Sequence, residues 1–486
     1  MGLSGAIGFE IFALLDYAYW LSGTSLLFAL LLAGLINLLI MLNYCELSTA
    51  IPEIGGAYTY IKKAYGGIVS FILGCFRWLA SVFAAALAAV VFTDQLLYLL
   101  KVDSTLQSLV SAQTPLIAVV VVIALAALNV KGMKKVGAAI VFAFIAIFAI
   151  FVGGGLLGEL APAEIFPKSL FNVSEIFAST VYVFPMFFGV RSLIAGAAQI
   201  KHPGKNLPRA ILLSALLIIP LYLCVAYVAV GIVPLEEWKS LQETGSQVPL
   251  LNFAAERIFG IGGAVLLGIA GMVASLSALG TSLNVQSSIL CGMSRDAYLP
   301  RFLLSVHQRF KTPYIAIITG SLFIMFLSVI GALEFLGYAA SFASLFVFAL
   351  VHLSLLKLRK EKPHMERPFK TPLYPFTPIA GFIMSVTLLV FPMLLRDVNA
   401  TSALMSGIGL TVLVLMTYYF RMMGQNRLQI AIGGAGLGIG VSLPFLTYLA
   451  EAGLMSPIFP NIPSYIMFCI SAISIMAGIL NVTGHS

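Results

Sequence analysis

Charge is what this sequence has least of. Only 9% of its 486 residues are Asp, Glu, Lys or Arg, against about 25% in an average globular domain. That supply cannot cover a water-exposed surface of this size, which excludes the two to four soluble domains that length alone would suggest. Five cysteines (Cys45, Cys75, Cys224, Cys291, Cys469) stand far apart without CxxC spacing, so they are read as small core residues and not as metal or disulfide partners. The five histidines are as scattered: His202, His307 and His364 in loops, His352 near a helix end and His485 at the tail. There is no HExxH, no Gly-x-Ser-x-Gly, no P-loop and no carboxylate pair at helical spacing, so an enzyme is not expected. The chain opens on GLSGAIGFEIF straight after Met1, with no charged leader and no signal-peptide n-region. A first span that is short, or that starts inside a once longer helix, is the expectation.

Apolar residues, by contrast, make up 60% of the chain. Runs of about 20 of them recur throughout, each long enough to cross a hydrocarbon core of roughly 30 Å. The fold class is therefore an all-α polytopic membrane protein with the lipid bilayer as its main partner. Breakers divide the runs into fourteen predicted spans, near 2–18, 24–45, 68–99, 114–130, 136–157, 174–198, 208–233, 257–290, 313–332, 335–356, 377–395, 402–421, 428–449 and 462–481. The net charge of +8 invites a nucleic-acid reading, but its distribution rejects one. Twenty Lys and Arg fall in alternate connections and only five in the others. By the positive-inside rule this puts both termini in the cytoplasm and the chain in the cell membrane as a multi-pass protein. The longest outward connection, 234–256, is acidic and contains Trp238; it is read as a solvated connector in preference to a lid.

Two spans are broken, and both breaks involve charge. In the first, Gly2, Gly5 and Gly8 precede Phe9 and Glu10. Each glycine weakens a helix by about 1 kcal/mol relative to alanine, and unwound backbone would offer free N–H and C=O groups to a ligand. Close helix packing is the competing explanation. Glu10 tips the balance, because an ionised carboxylate inside a span costs about 2.5–3.5 kcal/mol and needs a partner or a cavity. In the sixth span, Pro185 removes a backbone hydrogen bond, Gly189 frees the chain, and Arg191 follows. An arginine can grip a carboxylate with two parallel hydrogen bonds; it can equally pair with Glu10 for stability. Arg77, beside Trp78, and Asp94 are embedded charges read as structural, Arg77 snorkelling toward the inner surface.

Four segments then resemble one family. Ile7-Gly8-Phe9-Glu10-Ile11-Phe12 is similar to the span-1 motif of amino acid–polyamine–organocation (APC) permeases. Tyr44-Cys45-Glu46-Leu47 with Pro52 to Tyr58 resembles the segment after span 2, and Gln199 to Ala210 the signature after span 6. Met293 to Phe302, followed by Val306-His307 and Thr312-Pro313, resembles the loop after span 8. All four come in the family's order, and fourteen spans resemble the cationic amino acid transporter branch.

The resemblance implies a LeuT-like core of five plus five helices in inverted repeats, discontinuous at helices 1 and 6, with substrate bound between the breaks. It implies residues 1–423 as that core and 424–486 as two additional C-terminal helices. The expected function is a secondary transporter of amino acids or related amines, with a membrane receptor that binds without moving its ligand as the alternative. Expected substrate contacts are Gly5, Ala6, Gly8, Phe9, Glu10, Pro185, Phe188, Gly189 and Arg191. No cofactor is expected beyond a coupling ion, a proton or sodium, with Glu10, Ser275 and Ser277 as candidate carriers. The family's span-5 lysine, which stands in for sodium in some relatives, is missing between Val136 and Leu157. That leaves Glu10 as the leading proton site.

Overall fold

The computed structural model describes residues 8–52, 56–100, 114–132, 138–158, 173–190, 200, 202–243, 248–330, 333–394 and single positions from 402 to 474. Among them every regular element is a helix. The first, α1 (Glu10–Ser22), turns through a short 3₁₀ segment at Gly23–Ser25 into α2 (Leu26–Ala50). A short amphipathic helix, α3 (Ala57–Tyr65), then buries Ala57, Tyr60, Ile61 and Ala64. Gly66 with φ +79 lets the chain turn directly into α4 (Gly67–Leu99), a conformation that costs a residue with a Cβ. There follow α5 (Thr114–Val130), α6 (Ala138–Leu157) and α7 (Val173–Val183), the last of which runs into a 3₁₀ segment, Phe184–Val190. The second half comprises α8 (Pro203–Ile232), α9 (Leu235–Glu243), α10 (Leu250–Phe259), α11 (Ile261–Arg295), α12 (Tyr314–Ile330), α13 (Leu333–Glu361) and α14 (Phe376–Leu394).

Length and composition fit a multi-pass membrane protein. The helix α4 has 33 residues and α11 has 35; at 1.5 Å per residue both exceed a hydrocarbon core of roughly 30 Å. They pack along one another, with α13 on the other side of α4. Their buried surfaces are rich in small residues: Ala80, Ser81, Ala85, Ala86, Ala88 and Ala89 on α4, and Gly268, Gly271, Ala274 and Ser275 on α11, are all buried, and Gly268 and Gly271 face Leu99 and Gln95 of α4. Small side chains let membrane helices approach closely where lipid supplies no hydrophobic drive. The large residues point outward instead, as with Leu213, Leu216 and Phe326, all more than half exposed.

The connections sort by charge. At one end, α3 meets the α11–α12 connection through Lys62 and Asp296 (2.7 Å). There too Gly204 of α8 abuts Pro368, and Thr312 Oγ1 donates to the carbonyl of Val130 (2.6 Å). This is the basic end. At the opposite end α9 and α10 lie over α1.

Of the first span, Gly8 and Phe9 are non-helical and α1 begins at Glu10, while residues 2–7 lie outside the described residues. Two expectations change. The eighth span starts at Ile261 and not near 257, because Gly260 at φ +67 separates α11 from α10, which lies mostly in the preceding connection. The connection 234–256 is not merely solvated, since it contains α9 and places Trp238 fully inside the protein.

Candidate functional site

The two expected breaks come together around Tyr222 of α8. Its phenol oxygen accepts the backbone N–H of Gly8 (3.3 Å), and its ring lies 5.7 Å from that of Phe187 in the 3₁₀ segment. The segment itself follows from its composition. Pro185 has no N–H to give, Gly189 adds freedom, and three phenylalanines anchor it: Phe184, Phe187 and Phe188 are all buried. The carbonyl of Phe187 is taken by Asn37 Nδ2 of α2 at 3.1 Å. In an α-helix that carbonyl would belong to an N–H four residues on; a side-chain donor from another helix serves it here. Gly34, one turn before Asn37, lets α2 approach, as a Cβ there would stand 2.8 Å from Ile219 and 3.3 Å from Phe187.

Glu10 lies in the first turn of α1. Its carboxylate folds back over Gly8, so that a Cβ on Gly8 would collide with it, and its field reaches the Tyr222 phenol. A carboxylate at a helix N-terminus is favoured by the helix dipole. A fully buried aromatic, Phe9, precedes it. On the other side of the 3₁₀ segment Phe348 of α13 stands 5.8 Å from Phe188 and 6.2 Å from Phe184, and Tyr44 of α2 is 5.6 Å from Phe348. The result is one layer with backbone polar groups and a carboxylate on one side, closed toward the basic end by edge-to-face aromatics.

The structure thus gathers Gly8, Phe9, Glu10, Pro185, Phe188 and Gly189 into the region where the two breaks meet. Gly5, Ala6 and Arg191 lie outside the described residues. Ser275 is fully buried on α11 with no hydrogen-bond partner for its hydroxyl among the described residues. It sits one turn from Gly271, where a Cβ would meet Phe12 of α1 at 3.3 Å. Ser277 is half-buried, and its carbonyl accepts from Thr281 (2.9 Å). Among the described residues no cluster of His, Cys, Asp and Glu could hold a metal ion.

An amino acid permease family model matches residues 1–417. The chain belongs to the amino acid permease family. Its relatives in that family differ in cargo. The branched-chain amino acid permease BcaP of Bacillus subtilis is 24% identical over 404 residues, covering 80% of this chain and 85% of the relative. The methylthioribose transporter of the same organism is 26% identical over 395 residues, 78% and 83% respectively. A probable polyamine transporter of Arabidopsis thaliana is 30% identical over 344 residues, 68% and 67%.

Sequence reasoning missed Asn37, Tyr222 and Phe348. Asn37 carried a signal, being the lone strongly polar residue in the run from Leu26 to Leu42. Tyr222 follows Pro220 inside a span, which marks a bend but not what the phenol bonds. Phe348 carried none.

The ends are closed differently. At the basic end, Glu46 of α2 is fully buried and accepts Arg359 Nε (2.7 Å) and the N–H of Thr371 (2.7 Å), with Arg367 Nε at 3.3 Å. Nearby, Asp296 accepts from Lys62 and from the Tyr58 phenol. Burial works against the Asp296 carboxylate, but these two hydrogen bonds outweigh it and its pKa falls below the usual value. Tyr58 is pushed up by burial and by that carboxylate. At the opposite end, Asp16 Oδ1 accepts the N–H of Leu250 at the start of α10 (3.1 Å), and Tyr19 donates to the carbonyl of Val233 (2.8 Å).

Proposed function

We propose that this permease is a secondary active transporter that carries an amino acid or a related amine across the cell membrane by alternating access. The substrate is held between the two interrupted helices. What carries the reading is the meeting of the breaks: the start of α1 and the 3₁₀ segment 184–190 converge on Tyr222, with a carboxylate beside them. Irregular backbone at membrane depth is tolerated only where protein or a cavity surrounds it, and paired interrupted helices are how many transporters build a midplane site. In this reading α1, α2, α4, α5 and α6 form one five-helix repeat and the next five spans its inverted copy, within residues 1–423. Fourteen spans in all leave 424–486 as two added helices, and the basic end faces the cytoplasm, as the charge bias supports.

The roles follow from the chemistry. Glu10 receives the substrate ammonium or carries the coupling proton, the backbone at Gly8 and Gly189 offers hydrogen bonds, and Phe9, Pro185 and Phe188 shape the pocket. Arg191 serves a carboxylate or neutralises Glu10. Sodium at Ser275 is the competing coupling scheme.

Counterflow of a labelled amino acid into proteoliposomes loaded with the same unlabelled compound tests the reading, because a receptor binds without exchanging its ligand across the bilayer. Glu10→Gln should abolish any response of uptake to an imposed pH gradient. Binding without counterflow, across the common amino acids and polyamines, would refute transport.

A further inference from the structure

Among the described residues Arg77 has no acidic partner. It lies ten residues into α4, within an apolar run that starts at Gly67, and is half-buried. Among the described residues its guanidinium makes no ion pair and no hydrogen bond; only its backbone carbonyl is engaged, accepting from Ser81 (3.2 Å). An arginine at membrane depth is costly, and it ordinarily faces a partner or a water-filled path.

Its direction is set by its neighbours in the chain. Phe76 packs on Phe346 of α13 with ring centroids 4.2 Å apart. Trp78 turns the other way, donating Nε1–H to Gln286 of α11 (3.1 Å) and meeting Phe323 of α12 edge-on (5.1 Å). Arg77 lies between these two faces, and the group whose field it feels is the phenol of Tyr44 on α2. It therefore faces inward between α2, α4 and α13, not out to lipid headgroups as snorkelling would require. Tyr44 belongs to the aromatic series that begins at the candidate site, Phe188 to Phe348 to Tyr44, and continues to Tyr60. The charge thus stands just past the layer that closes the site, on the way to the basic end.

We propose that Arg77 is a second station on the transport path, one that receives the substrate's carboxylate after it has passed the aromatic layer, and that it confines transport to carboxylate-bearing substrates. A guanidinium offers forked N–H donors that match a carboxylate, and an uncompensated cation there repels a polyamine, which has no anionic group to offset its charge. This rests on the transport reading above and adds the chemical class: amino acids and not polyamines. Arg77 acts on passage, whereas Glu10 and the broken helices act on binding at the central site.

The test uses the full chain in proteoliposomes with labelled L-amino acids, their carboxamides, putrescine and spermidine. Wild-type protein should move one or more amino acids and none of the amides or polyamines. Arg77→Gln should keep the ligand-induced thermal shift, since the central site is untouched, yet lower uptake by about tenfold or more. Arg77→Lys, which keeps the charge but not the fork, should retain an intermediate rate and the same substrate list. Uptake by Arg77→Gln within about twofold of wild type overturns the proposal, as does wild-type transport of spermidine or of amides at rates matching the amino acids. The wild-type panel decides the substrate class even where a variant does not fold. Transport of polyamines alone would defeat the role of Arg77 and leave transport standing; binding without movement of any compound would defeat both.

Discussion

Glu46 is a fully buried carboxylate whose side chain is 0% exposed, held by arginines whose side chains are 17% (Arg359) and 8% (Arg367) exposed. Three helical regions depend on it: the end of α2, the end of α13 and the connection into α14, which it grips through the N–H of Thr371. Glu46→Gln keeps the volume but removes the charge, leaving two cations close together with one neutral acceptor. Removing one partner of a buried pair costs about 3–5 kcal/mol, whereas an exposed pair is worth 1 kcal/mol or less. A cycle of Glu46→Gln, Arg359→Met and the double variant, unfolded by detergent titration, should give a coupling energy of about 2 kcal/mol or more. A local readout comes from Cys45, a free thiol next in sequence and also fully buried. With Cys75, Cys224, Cys291 and Cys469 replaced, alkylation of Cys45 should be slow in the wild type. In Glu46→Gln it should accelerate by about a hundredfold, the factor that nearly 3 kcal/mol of local opening implies. A coupling under about 0.5 kcal/mol, with Cys45 reactivity unchanged, would refute the view that this cluster holds the basic end together.

Asn37→Leu removes the donor to the Phe187 carbonyl. Stranding that acceptor costs about 1–3 kcal/mol, so counterflow should fall sharply while expression and bilayer insertion persist. Trp238→Ala empties a fully buried site between α9 and α1, at about 3–5 kcal/mol; trypsin added to the side of α9 should then cleave at Lys239 at least tenfold faster. Because the Asp296 pKa lies below its usual value, its contribution is fully present above the unfolded-state value near 3.9 and is lost only as pH falls through the lower folded-state value. Asp296→Asn should therefore change the transport rate without altering its pH profile between about pH 5 and 8. A pH profile altered by Asp296→Asn but not by Glu10→Gln would reverse the assignment of the proton site.

Much of the architecture was legible because membrane spans announce themselves. Apolar length and alternating basic connections place α4, α5, α6, α12 and α14 within two residues of their expected bounds, whereas α2, α8 and α13 each run five residues further into the basic end. The break in span 6 was legible for a local reason, since Pro185 and Gly189 disrupt a helix wherever they stand. What was not legible depends on partners distant in sequence. Nothing near Phe187 foretells that Asn37, 150 residues away, will take its carbonyl. The acidic stretch 234–256 looked like a connector because its polarity is obvious, whereas the burial of Trp238 depends on α1 lying beneath it. Gly260 was passed over because an apolar run continues on both sides; only its positive φ reveals the corner.

The placement of Glu10 also changes what its charge requires. In the sequence it looked like half of a pair with Arg191, since a carboxylate in an apolar run seems to need a cation. The structure gives it the N-terminus of its own helix and a position over Gly8, beside Tyr222. A helix N-terminus stabilises an anion by about 0.3–1 kcal/mol, or up to about 2 kcal/mol where burial is partial, which offsets part of the cost of the charge; Arg191 lies outside the described residues. Arg77 is the reverse case: a cation for which the described residues supply no anion. A negative group at the central site and a positive one beyond the aromatic layer form a sequence that suits a molecule carrying both charges, its ammonium held first and its carboxylate drawn onward. That order makes the two substitutions separable. Glu10→Gln should weaken binding and pH coupling, and Arg77→Gln should leave both in place and slow the passage alone.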